Sequence, residues 1–105
     1  MKVLLDACVP RPLRRFLPEH TVRVAQEMGW GQLKNGVLLR EAELQFDVFI
    51  TTDQNMKHQQ KVVERRLAIL VLPTNDWPTI RLKTEEIAVK VAALKPGDFL
   101  ELDWS

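Results

Sequence analysis

The stretch Asp47-Val48-Phe49-Ile50-Thr51-Thr52, with Asp53 directly behind it, decides how the rest of the chain is read. From Val48 to Thr52 every side chain is β-branched or aromatic, the kind that fits a pleated strand. The run barely alternates apolar with polar, so neither face of this strand is expected to meet water. Strands buried on both faces belong to parallel sheets covered by helices.

Working outward, four more short apolar runs predict strands over Lys2–Leu5, Thr21–Ala25, Leu67–Leu72 and Phe99–Leu102. Segments of helical period lie between them. Pro10–Leu17 carries Leu13, Phe16 and Leu17 at helical spacing, with its prolines placed where only a first helical turn accepts them. Asn35–Gln45 opens on Asn35-Gly36, read as a cap, and puts Leu38 and Ala42 on one face. Gln54–Arg66 shows weaker periodicity through Met56, Gln59 and Val63. Pro78–Leu94 carries the clearest stripe, Ile80, Ile87, Val91 and Leu94, and Lys95-Pro96-Gly97 ends it. Alternating strands and helices predict an α/β domain of three layers, α/β/α, around a mostly parallel five-stranded sheet. Right-handed crossovers favour strand order 2-1-3-4-5.

With 105 residues and 46 % hydrophobic content, residues 1–105 are expected to form a single domain with a true core. Fifteen basic and fourteen acidic side chains leave a net charge of +1, so a nucleic-acid partner would have to be recognised locally rather than by an overall field. One cysteine, Cys8, excludes an internal disulfide and a cysteine-built zinc site, and a reducing cytoplasm is the expected setting. A small buried thiol is expected at Cys8. The apolar run at the amino terminus is too short for a signal peptide, and no apolar stretch is long enough to span a membrane.

In strand order 2-1-3-4-5 the winding reverses between the first and third strands, and ligands of such sheets bind beyond the strand carboxyl ends at that reversal. Asp6 follows the first strand and Asp53 the third, so the two are expected side by side. A close pair of carboxylates calls for a cation or a shared proton, and oxygen-only ligation suits Mg2+ or Mn2+. Asp76 follows the fourth strand and reaches the same edge, although Asn75-Asp76-Trp77-Pro78 also has the form of a helix start. Arg11, Arg14 and Arg15, together with Lys57, His58 and Lys61, are candidate contacts for a phosphate backbone. Trp30, set between Gly29 and Gly31, is read as a contact for a partner or a second copy.

Val3-Leu4-Leu5-Asp6 followed by Val9-Pro10, Met28-Gly29-Trp30-Gly31, and Phe49-Ile50-Thr51-Thr52-Asp53 followed by Gln54-Asn55-Met56 together resemble the PIN-like domain family, in particular its short bacterial members. The resemblance covers nearly the whole chain. It implies a metal-dependent endoribonuclease, often the toxin half of a toxin–antitoxin pair whose small antitoxin covers the acidic cleft. Asp6 and Asp53 match the metal-binding, catalytic aspartates of that family, and the implied chemistry is hydrolysis of RNA phosphodiesters by water activated at Mg2+ or Mn2+. The chain departs from the pattern at Ala7 and Cys8, and it has Asn35 and Asn55 where relatives often carry acids. Either amide can still offer a carbonyl oxygen to a metal.

Two other classes compete. A phospho-receiver module shares the strand order and the aspartates after strands one and three, but its lysine follows the fifth strand, whereas Lys95 precedes it here. A catalytically silent domain that binds protein or RNA would account for the missing acids. The final apolar strand, ending in Asp103-Trp104-Ser105, leaves a sheet edge that suits a homodimer.

Overall fold

All five expected strands form, each trimmed by no more than one residue at an end: β1 Lys2–Leu5, β2 Thr21–Val24, β3 Val48–Thr51, β4 Ala68–Val71 and β5 Phe99–Glu101. The structure is a computed structural model that describes residues 1–58 and 66–105, with His58 described by its backbone alone. The strands make one sheet of order β2-β1-β3-β4-β5 in which every neighbouring pair is parallel. The expected order is thus borne out, and the sheet is wholly rather than mostly parallel.

Both faces of this sheet are buried, which is why its strands carry so little polar alternation. Val3, Leu5, Val48 and Ile50 pack on one face with Leu13, Ile80, Ile87 and Val91. On the other, Leu4, Phe49 and Ile69 meet Leu38, Leu39 and Ala42. The last three belong to α1, which spans Asn35–Gln45 as the periodicity predicts. Each Leu, Ile or Phe so enclosed contributes about 1.5–3 kcal/mol by leaving water.

Two helical expectations change, and a third lies largely outside the described residues. Pro10–Leu17 is not an α-helix but a 3-10 helix over Arg11–Phe16, closed by bonds of the shorter span such as Leu13 N to Pro10 O at 3.2 Å and Leu17 N to Arg14 O at 3.2 Å. Pro10 and Pro12 lack the N–H groups that a longer ladder needs, and Pro18 bars its continuation. The single helix expected over Pro78–Leu94 is two, α2 Trp77–Arg81 and α3 Thr84–Ala93. The break falls where Leu82 N and Lys83 N bond to Thr79 O and Ile80 O, tightening the turn, and where the Thr84 hydroxyl donates to Arg81 O. In the stretch expected as a helix over Gln54–Arg66, a 3-10 turn occupies Met56–His58, and residues 59–65, including Gln59, Lys61 and Val63, lie outside the described residues.

Gly29 has φ of +76°, a left-handed conformation that ends the 3-10 turn Ala25–Met28 and that a side chain would strain. Beyond it Trp30 is half-buried, packed on the α1 side of the sheet with its ring edge-on to Phe46 at 6.1 Å. Much of that ring therefore serves the core. No helix among the described residues is long and apolar enough to cross a membrane.

Candidate acidic site at the sheet reversal

β1 lies between β2 and β3, and the chain leaves β1 towards one side of the sheet and β3 towards the other. Asp6 prolongs the ladder by one step, its N–H donating to Ile50 O at 2.9 Å, and this lays it beside Thr51 at the end of β3. The Thr51 hydroxyl donates to Asp6 Oδ2 at 2.7 Å and accepts from the Asp53 N–H at 3.1 Å. One fully buried hydroxyl thus holds a carboxylate from behind β1 and the backbone of the aspartate behind β3. Asp6 and Asp53 are thus linked through Thr51, by the carboxylate of the one and the backbone N–H of the other.

The remaining bonds orient both carboxylates. Asp6 Oδ1 accepts from Ala7 N at 2.8 Å, and its Oδ2 takes a second, longer contact from Cys8 Sγ at 3.5 Å. Asp53 Oδ1 accepts from Asn55 N at 2.9 Å, an arrangement in which an aspartate closes its own turn. Asp53 Oδ2 accepts from Asn35 Nδ2 at 2.9 Å. All four carboxylate oxygens therefore have a donor from the protein.

Asn35 is not the helix cap that its position suggested. Lys34 takes the cap position of α1 with no side-chain bond, and Asn35 is the first helical residue, its amide turned to Asp53 instead. Asn55 joins the site by its backbone N–H, and its side chain is exposed. Cys8 is exposed rather than buried, because Val9 takes the inward position of that turn.

Asp76 serves α2. Its Oδ2 accepts from Thr79 N at 3.2 Å and from the Thr79 hydroxyl at 2.6 Å, with Pro78 in the first turn as the helix-start reading requires. Arg11 and Lys57 are exposed. Arg14 is engaged by Glu27, with Nη2 to Oε1 at 3.1 Å. Glu27 also accepts from Val24 N at 2.9 Å, and this backbone bond, followed by the Arg14 contact, holds its carboxyl below the ordinary glutamate range. The side chain of His58 lies outside the described residues.

Two further residues support the site. Thr51 is one, a polar residue at the end of a strand whose other members are apolar. Gln54 is the other, its amide donating to Thr52 O at 3.0 Å and Leu72 O at 2.6 Å and so tying the chain behind β3 to that behind β4. Nothing local in the sequence marks Gln54, since its acceptor on Leu72 is brought near only by the β3–β4 pairing.

Among the described residues no group of three or more His, Cys, Asp and Glu side chains is arranged to hold a metal ion. Two carboxylates do suffice in kind for Mg2+ or Mn2+, which bind through one or two of them and leave other positions to water and substrate phosphate. A cavity of about 680 Å³ lies elsewhere, at the amino ends of β3 and β4 among Phe46, Asp47, Arg66 and Lys95. The acidic site sits instead at the carboxyl ends of β1 and β3.

These features define a class: an all-parallel α/β domain with two aspartates joined at the reversal of its sheet. Compared with known protein families, curated proteins and solved structures, the chain gives no match.

Proposed function

We propose that the chain is a PIN-like domain of three α/β/α layers and acts in the cytoplasm as a metal-dependent endoribonuclease, the toxin half of a toxin–antitoxin pair. One observation carries the reading: Thr51 ties Asp6 and the backbone of Asp53 to a single buried hydroxyl where a doubly wound sheet ordinarily receives its ligand. Asp6 and Asp53 would hold Mg2+ or Mn2+. When bound, the ion supplies a Lewis acid for the charge that builds on a phosphodiester and lowers the pKa of its water.

The protein's own part is orientation. Thr51 fixes the Asp6 carboxylate, and the Asn55 N–H fixes that of Asp53. Arg11 and Lys57 are free at the surface to meet phosphates by charge, which positions a strand without reading its sequence. Arg14 contributes less, because Glu27 already neutralises it. The same proposal includes a small antitoxin over the crevice and a homodimer formed along β5.

The test is cleavage of RNA in Mg2+ or Mn2+ by the wild type beside Asp6→Asn and Asp53→Asn. Each amide variant is expected to lose about 10²–10³-fold in rate, the usual cost of removing one charge-stabilising group. Equal cleavage by wild type and variants would end the assignment.

A second reading has one observation in its favour. All four carboxylate oxygens are already bonded within the chain, as in a site that does not need a cation. On this reading the domain binds protein or RNA without cutting it, and wild type that retains RNA in a gel-shift assay yet leaves it whole would establish it.

A further inference from the structure

We propose that Asn35 is a built-in competitor for the cation at Asp53, so that its amide sets how weakly this site holds a metal; this rests on the metal-site reading above. The first residue of α1 sends its side chain to a carboxylate 18 positions away rather than to its own helix, although α1 has no side-chain cap. A side-chain cap ordinarily stabilises a helix start, so the sequence forgoes that gain at this end. Asn35 Nδ2 places the positive end of an amide dipole 2.9 Å from Asp53 Oδ2, where a cation would draw on the same lone pairs.

Apart from the Cys8 thiol, which touches only Asp6, the other donors are not free to leave. Ala7 N and Asn55 N belong to backbone turns, and the Thr51 hydroxyl is wholly buried and also accepts from Asp53 N. Asn35 alone is a neutral side chain from a distant element that can withdraw from Asp53 without undoing a turn or opening the core. Its withdrawal frees Oδ2 and turns the balance from an internally neutralised site to a metal-holding one.

The experiment is Mn2+ titration of the full chain without RNA, followed by paramagnetic broadening of the Ala7 and Asn55 amide resonances, with melting temperatures in EDTA and in Mn2+. A competitor predicts that Asn35→Ala binds Mn2+ about fivefold more tightly than wild type, the equivalent of one hydrogen bond removed from the competition. Asn35→Asp is expected to bind more tightly still, to melt below wild type in EDTA and to recover in Mn2+, since it adds a like charge beside Asp53. Should Asn35→Asp fail to fold, the comparison of Asn35→Ala with wild type decides. Weaker or unchanged binding by Asn35→Ala overturns the inference and leaves the ribonuclease reading standing. Absence of broadening in wild type and both variants overturns the two together.

Discussion

Replacing Thr51 by valine keeps the shape of a fully buried side chain and removes its one polar atom. Asp6 Oδ2 then loses its shortest donor and the Asp53 N–H its acceptor. A half-buried group left unsatisfied costs about 1–3 kcal/mol, and that loss is expected in the urea midpoint of Thr51→Val, with Thr51→Ser close to wild type. Glu27 provides a pH-dependent case. Its folded pKa lies below the ordinary 4.5 because it accepts from Val24 N and pairs with Arg14. A depressed carboxylate stabilises the fold above its unfolded value and ceases to do so as pH falls through the folded one. The stability difference between wild type and Glu27→Gln is therefore expected to shrink below about pH 4.5, read from urea midpoints at a series of pH values. At this scale the sequence displays Asp6 and Asp53 plainly, because each ends a strand-forming run. The distant partner of Asp53 stays hidden: Asn35 looks like a cap until α1 is set beside β3.

Elements followed the sequence where one local rule governed them. The whole span of α1 is legible in its apolar spacing, and the β3 run in its β-branched side chains. Helix Pro78–Leu94 was less so, since its stripe runs on through a break that turn bonds at Leu82 and Lys83 impose. The start of α2 is well marked, and its cap separates two roles for Asp76. As a cap, Asp76 gives way to Ala at a cost of about 1 kcal/mol and to Asn at almost none. Asp76→Asn is accordingly expected to retain both the melting temperature and the Mn2+ affinity of wild type, whereas a metal ligand would lose affinity with its charge. Calorimetry and the Mn2+ titration check the two halves.

For the whole molecule, the two apolar clusters that enclose the sheet account for stability, and the sheet's winding accounts for the site. Its edges are short, β5 with three residues and β2 with four, and short edges limit unwanted pairing. Trp104 closes part of the β5 side by packing on the core and donating from Nε1 to Glu86 Oε2 at 2.7 Å. The proposed dimer along β5 is expected to give twice the 12.2 kDa monomer mass in equilibrium sedimentation at micromolar concentration, and a single monomeric species would remove it from the proposal. What the sequence by itself determined is the succession of strands and helices and the placing of an aspartate behind the first and third strands, because propensity and apolar period act within a few residues. Only the tertiary structure decided which distant donors meet those aspartates. Thr51, Asn35 and Asp6 come from three separate elements, and a hydrogen bond between distant residues exists only once parallel pairing has set their register.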